Sequence, residues 1–213
     1  MPSPLRSRWL KLAVFLSSLV PLMLLLVKGV RGELGANPIE YITRATGDWT
    51  MRFLLITLSI TPLRRISARP DLIRFRRMLG LFSFFYGVLH LITWIWLDKF
   101  FDMQEMWADI AKRRFITMGM LGFLLMLPLA LTSTAGWIRR IGGKNWQRLH
   151  RLVYISAAAG VIHFYWLVKS DIRMPVLYGA ILAVLLLIRP VVARMSSGAR
   201  VRSETTAKTL SVG

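Results

Sequence analysis

The run RRMLGLFSFFYGVLHLITW, residues 76–94, indicates the class of this protein, because a single histidine stands within a long apolar stretch. A transmembrane helix needs about 20 mostly apolar residues, and this run has that length. Further uncharged runs lie on both sides of it. Extended by interfacial residues, they predict six spans, at residues 10–28, 49–63, 77–97, 115–136, 149–168 and 174–192. We therefore predict an all-α integral membrane protein, with a six-transmembrane-helix bundle in residues 1–195.

The composition supports this prediction and excludes several kinds of site. The chain has 213 residues, of which 55% are apolar and 18% are charged, and its mean hydropathy is +0.52. Soluble domains average about 25% charged residues. Because the sequence contains no cysteine, disulfides, iron–sulfur clusters, Cys-ligated zinc and thiol catalysis are excluded. No internal repeat and no second domain is evident.

The net charge of +19 is distributed unevenly along the chain. Basic residues concentrate at the N-terminus, in the loops after the second and fourth spans and in the tail, whereas most acidic residues lie in the other loops. By the positive-inside rule, both termini are cytoplasmic. The positive charge then reflects topology and attraction to membrane lipid, and no nucleic-acid partner is expected. Residues 196–213 are predicted to form a disordered cytoplasmic tail.

Three histidines occur, all in or beside predicted spans, where ionisable groups are usually functional. His90 and His163 lie at similar depth in two spans that run in the same direction, so they can face each other across a haem. Each follows a glycine by three residues, Gly87 and Gly160, on the same helix face. Glycine there would leave room for a flat macrocycle. The alternative is close helix packing at the glycines and an ordinary polar contact at each histidine.

His150 lies at the predicted cytoplasmic edge, four residues after Trp146. It precedes His163 by 13 residues, about 20 Å along a helix, a separation that could accommodate two stacked redox centres. It is therefore a candidate ligand of a second haem, a contact to a propionate, quinone or flavin, or an interfacial residue. Trp146 is a candidate cofactor contact, although its place at the boundary favours a membrane anchor.

Four arginines at the same edge are candidates for binding anionic groups. Guanidinium groups pair bidentately with carboxylate and phosphate, so they could hold haem propionates or a flavin phosphate. Their default role is to set the topology. The four are Arg76, Arg77, Arg148 and Arg151.

Several segments together resemble the MsrQ (YedZ) family, within the larger ferric-reductase-like transmembrane group. They cover nearly the whole chain and include both His150 and the approach to His90. The segments are LGANPIEYITRATGDW (residues 34–49), LLITLSITPLR (54–64), LIRFRRMLGL (72–81), LALTST (129–134) and GGKNWQRLHRLVY (142–154).

The resemblance implies a b-type cytochrome with one or two haems. In the wider group, two haems are held by two histidines on the third span and two on the fifth, 13 or 14 residues apart. Here the fifth span supplies His150 and His163, whereas the third supplies only His90, and Arg76 stands 14 residues before it. The resemblance therefore leaves a second haem with an incomplete set of histidine ligands.

The resemblance also implies partners and a location. The family lies in the bacterial inner membrane, is associated with FMN and the quinone pool, and passes electrons to the periplasmic molybdopterin subunit MsrP, which reduces methionine sulfoxide in proteins. Six spans leave no room for a reductase domain of ordinary size. We therefore expect the electron donor, the quinone pool or a cytoplasmic flavin reductase, and the acceptor to be separate partners.

Two other functions fit the same residues. A stand-alone ferric or quinone reductase would use the haem without a protein acceptor. A small transporter or non-redox haem carrier would use the three histidines for a transported ion or a labile haem. The sequence favours an electron-transfer subunit of an oxidoreductase system over both.

Overall fold

The computed structural model describes the backbone of residues 8–210 and the side chains of residues 8–191, and this part of the chain contains helices and no strands. A short 3-10 turn, Pro70–Leu72, precedes the third helix, and a π-helical stretch, Thr93–Asp98, continues it. The α-helices are α1 (Arg8–Val30), α2 (Pro38–Ile66), α3 (Ile73–Ile92), α4 (Met103–Lys112), α5 (Arg114–Leu131), α6 (Ala135–Ile141), α7 (Gly143–Leu149), α8 (Leu152–Leu167) and α9 (Arg173–Leu210).

Polar residues mark where three of these helices begin. The side chain of Asn37 accepts a hydrogen bond from the backbone N–H of Glu40 at the start of α2, where Pro38 occupies the first turn. Asp102 caps α4 and Thr134 caps α6 in the same way. Such caps satisfy N–H groups that have no partner inside the helix.

Within the described residues, four segments are long and apolar enough to cross a membrane: Arg8–Val30, Pro70–Asp98, Arg114–Leu131 and Arg173–Val191. They correspond to the first, third, fourth and sixth predicted spans. The second lies in α2, which is long enough but contains Asp48 and Arg52. The fifth lies in α8, whose 16 residues extend about 24 Å, less than the hydrocarbon core of a bilayer.

The last helix reaches into the predicted tail. Residues 196–210 belong to the backbone of α9. Their side chains, and residues 211–213, lie outside what the structure describes, so the disorder of residues 196–213 stays a prediction.

Two antiparallel helix pairs form the centre of the molecule. One consists of α2 and α3 and the other of α5 and α8, while α9 packs against α2 and α8. The core includes Leu58 of α2, Tyr86 of α3 and Ala157 of α8, each almost fully buried. Because α2 is surrounded by protein, it can carry polar residues that a lipid-exposed helix would not tolerate.

The hydroxyl of Tyr86 is inserted into the hydrogen-bond ladder of α1. It donates to the carbonyl of Ser18 at 2.9 Å and accepts from the N–H of Leu22 at 3.2 Å. These two backbone groups would bond to each other in an undisturbed helix. The insertion occurs beside Pro21, which already interrupts this turn. It joins the N-terminal helix to the central pair.

We expect Tyr86→Phe to destabilise the protein by about 1–3 kcal/mol, because two buried backbone groups lose their shared partner. The loss would be measured as a lower Tm in detergent. Tyr165→Phe is the control, since Tyr165 is exposed. Equal Tm values for the two variants would show that the ladder of α1 closes without the hydroxyl.

Arg189 of α9 compensates for a proline in α2. Pro62 has no N–H, so the carbonyl of Leu58 loses its helical donor. The Nη2 group of Arg189 donates to this carbonyl at 2.7 Å, and its Nη1 group donates to the hydroxyl of Tyr154. The arginine therefore links α9 to α2 and α8.

Candidate functional site

His90 of α3 and His163 of α8 face each other between the two central helix pairs. Their ring centroids are 6.1 Å apart and their planes are inclined by 78°. Both rings are largely removed from solvent. The structure thus brings together two histidines that lie 73 residues apart in the sequence.

Each of these imidazoles is held by a backbone carbonyl of the neighbouring helix. The Nδ1 atom of His90 lies 2.9 Å from the carbonyl oxygen of Thr43, and that of His163 lies 2.6 Å from the carbonyl oxygen of Phe115. Because a carbonyl can only accept, Nδ1 must carry the proton in both rings. Nε2 is then left with a free lone pair, the state in which histidine binds a metal ion.

The separation of the rings suits one metal ion between them. Two imidazoles that coordinate a metal from opposite sides, through bonds of about 2 Å, have centroids about 6 Å apart. The 6.1 Å separation of His90 and His163 agrees with this value. The donor set, two neutral nitrogens without carboxylate or thiolate, fits the axial ligation of a haem iron.

Two glycines of the neighbouring helices allow the rings to sit this close to the backbone. A Cβ atom on Gly47 of α2 would lie 3.0 Å from Cε1 of His90, and one on Gly119 of α5 would lie 2.7 Å from Nδ1 of His163. Sequence reasoning missed both, because they are 43 and 44 residues away from the histidines they contact. Only helix pairing reveals them.

The two glycines that the sequence did single out lie one turn before the histidines. In the structure, methionines cover them: a Cβ on Gly87 would lie 3.2 Å from Cε of Met126, and one on Gly160 would lie 2.6 Å from Sδ of Met51. Methionine side chains are flexible and change rotamer readily. Room for a macrocycle over Gly87 and Gly160 remains a prediction that requires these side chains to turn away.

The contacts around the two histidines repeat. Buried Ser83, seven residues before His90, donates to the carbonyl of Thr50 at 2.9 Å, and buried Ser156, seven residues before His163, donates to that of Gly122 at 2.8 Å. The contact residues on α2 recur on α5 with an offset of 72, and those on α3 recur on α8 with an offset of 73. The matched pairs are Thr43 and Phe115, Gly47 and Gly119, Thr50 and Gly122, Ser83 and Ser156, Gly87 and Gly160, and His90 and His163.

This repetition corrects the expectation that the chain has no internal repeat. The shared pattern, serine, then glycine four residues later, then histidine three further on, is too sparse to stand out in the sequence. The shared hydrogen bonds show that the two central helix pairs are structural repeats. Parallel repeats in membrane proteins are related by an axis along the membrane normal. The two histidines occupy equivalent places in the two repeats.

His150 lies apart from this pair, at the break between α7 and α8. Its ring stacks on Trp146 with centroids 3.8 Å apart, and its Nδ1 lies 3.1 Å from the carbonyl oxygen of that tryptophan. Its Nε2 is buried and has no hydrogen-bond partner in the described part of the chain. Such an atom is suited to a ligand. Trp146 thus positions His150, a role that its sequence position did not indicate.

The four candidate arginines differ in their surroundings. The charge of Arg76 acts on His150, and it also acts on Arg189 of α9. The other three, Arg77, Arg148 and Arg151, are exposed. The repeat offset of 73 makes Arg77 the equivalent of His150. The structure therefore brings Arg76 close to His150 and leaves binding by the exposed three as a prediction.

A polar cluster beside the paired histidines was not anticipated. Arg52 and Asp48 form an ion pair within α2, and buried Tyr178 of α9 donates to Asp48 at 2.5 Å. The Nε group of Arg52 donates to Tyr178 at 3.1 Å and its guanidinium lies over the ring of Trp49. Asp48 directly follows Gly47, so this cluster links α9 to the helix turn that contacts His90.

Comparison with known proteins agrees with this arrangement. The family model described as ferric reductase like transmembrane component matches residues 17–161. A protein-methionine-sulfoxide reductase heme-binding subunit MsrQ from Herminiimonas arsenicoxydans is 53% identical over 88% of this chain and 87% of its own. Proteins of the same name from Caulobacter vibrioides and Rhodospirillum rubrum are 50% and 49% identical, over 88% and 91% of this chain and 90% and 94% of theirs.

The chain belongs to the MsrQ family of ferric reductase-like transmembrane proteins. The family resemblance found in the sequence is thereby confirmed. Together with the four apolar helices, membership identifies a multi-pass membrane protein. The matched region contains His90 and His150 but ends at residue 161, two residues before His163. The relatives extend the similarity over most of the chain.

Proposed function

We propose that this protein is the haem b electron-transfer subunit of a methionine sulfoxide reductase system. The observation that carries the proposal is the pair of facing imidazoles, His90 and His163, with centroids 6.1 Å apart and both Nδ1 atoms bonded to backbone carbonyls. The relatives are named heme-binding subunits of protein-methionine-sulfoxide reductase. Haem, when bound, supplies a reversible one-electron couple.

The chain's own residues hold and orient the ligands. The carbonyls of Thr43 and Phe115 keep the proton on Nδ1 and so direct Nε2 of each histidine into the space between the helix pairs. The serine bonds from Ser83 and Ser156 fix each histidine helix against its neighbour. Two axial histidines leave no open position for oxygen, which suits electron transfer rather than catalysis at the metal.

The unpartnered Nε2 of His150 supports a second cofactor at the other end of α8. The residues there fit a second haem, with Arg76 near its propionates, or a contact to FMN or quinone. The lack of a second histidine opposite His150 leaves these alternatives open. The neighbouring positive charge favours any ligand that carries carboxylate or phosphate.

The wider assignment follows from topology. We infer six spans, with α2 and α8 crossing the bilayer inside a shell of more apolar helices, and both termini in the cytoplasm of a bacterium. Electrons would enter from the quinone pool or a cytoplasmic flavin donor and leave to the periplasmic molybdopterin reductase MsrP. The protein would thereby support repair of oxidised periplasmic proteins.

Reduced-minus-oxidised absorption spectra of the purified protein, with haem and flavin quantified after extraction, test this function. We expect His90→Ala and His163→Ala each to lose the low-spin b-type signal of the paired-histidine site, because iron loses an axial ligand. We expect His150→Ala to retain that signal. Loss of part of the signal in all three variants would indicate two haems that share α8.

Two outcomes would overturn the proposal. Wild-type protein without stoichiometric haem after reconstitution would favour a transporter or a haem carrier. Rapid reduction of soluble iron chelates, together with no electron transfer to the periplasmic reductase, would favour a stand-alone ferric reductase.

A further inference from the structure

The segment that joins the third and fourth predicted spans combines a fixed polar side with an exposed apolar side. Lys99 is only 5% exposed in its side chain, and its Nζ lies 2.5 Å from Glu105 and 2.7 Å from Asp109. Arg113 also pairs with Asp109, at 3.1 Å. These ion pairs attach one side of α4 to the end of the π-helical stretch that follows His90.

The opposite side of α4 is apolar and open. Met103 is 60% exposed and Trp107 is 70% exposed, and the two lie one turn apart on the same helix face. Phe100 and Phe101, just before the helix, are 75% and 58% exposed. Both have positive φ angles, a conformation that costs energy in a residue with a side chain. The chain accepts this cost while leaving four large apolar side chains uncovered.

The place of α4 in the chain indicates what covers this face. The span Pro70–Asp98 ends four residues before α4, and the span Arg114–Leu131 begins one residue after it. Such short connections keep α4 at the level where both spans leave the bilayer. Aromatic side chains are enriched at this level, and Lys112 and Arg114, both exposed, match the phosphates of lipid headgroups.

We propose that α4, together with Phe100 and Phe101, lies on the membrane surface with its apolar face inserted at the boundary between headgroups and acyl chains. Amphipathic helices bind membranes in this orientation. The Lys99 ion pairs set which face of α4 meets the lipid. The inference is independent of haem binding and of the proposed electron transfer.

Site-directed spin labelling tests this proposal, and the absence of native cysteine allows single labels in the full chain. Nitroxides at Met103→Cys and Trp107→Cys would be compared with the matched control Lys112→Cys, about 140° around the helix from Trp107. The protein would be placed in vesicles of phosphatidylethanolamine and phosphatidylglycerol. Relaxation by oxygen, which dissolves in the bilayer, would be measured against relaxation by a water-soluble nickel chelate.

We expect the oxygen-to-nickel ratio at residues 103 and 107 to exceed that at residue 112 by about threefold or more, since labels inserted in lipid meet oxygen rather than the chelate. Retention of the wild-type circular dichroism spectrum would confirm that each variant folds, and the two apolar positions serve as independent tests. Equal ratios at all three positions would place this face in water, available to a protein partner, and would overturn the proposal.

Discussion

Gly119→Ala is expected to weaken haem binding about 10-fold to 100-fold, the range found when groups that orient metal-binding histidines are disturbed. The added Cβ would lie 2.7 Å from Nδ1 and 2.9 Å from Cε1 of His163, so the ring must move. Movement breaks the 2.6 Å contact with the carbonyl of Phe115. Alanine favours helix by about 1 kcal/mol over glycine, so reduced helix stability would not explain the loss.

Haem titration of the reconstituted apoprotein would measure this effect, with the absorption spectrum of the bound form as a second readout. Gly47→Ala should act in the same direction on His90, less strongly, because its Cβ contact is 3.0 Å. Gly136→Ala is the matched control, since its Cβ would meet Thr134 at an ordinary 3.8 Å. Wild-type affinity in Gly119→Ala would contradict a ligand role for His163 in its present orientation.

Lys99→Met is expected to lower stability by about 3 kcal/mol, because removing one partner of a buried ion pair leaves the other charge uncompensated. Asp109 is only 10% exposed in its side chain and would retain Arg113 alone. At present, burial opposes the charge of Lys99, but hydrogen bonds to Asp109 and Glu105 and the nearby negative charges outweigh it. The pKa of Lys99 is therefore raised above its ordinary value.

Thermal unfolding in detergent would measure the loss, and a change of about 3 kcal/mol corresponds to roughly 6–12 °C in Tm for a chain of this size. Lys112→Met is the matched control, because Lys112 lies on the same short helix and is exposed. Similar Tm values for the two variants would show that the Lys99 ion pairs contribute little. Restoration of the Tm by Lys99→Met combined with Asp109→Asn would support the pairing as the cause.

The predicted spans illustrate how far local sequence reasoning reaches. Four of the six are confirmed as apolar helices, because the apolar content of about 20 consecutive residues is a local property. The prediction was weakest for α2 and α8. Protein neighbours replace lipid around the buried side of α2, so Asp48 and Arg52 can pair there with each other and with Tyr178. Hydropathy does not register this compensation.

The candidate site shows the same division. Sequence alone determined that the chain is helical and membrane-embedded, and it singled out His90, His150 and His163, because apolar runs and rare ionisable residues are visible without a fold. The tertiary structure decided which groups meet. The carbonyl of Thr43 is 47 residues from His90, and that of Phe115 is 48 residues from His163. Contacts of this kind depend on helix pairing, so the glycines that admit the rings and the repeat that relates them appear only when α2 meets α3 and α5 meets α8.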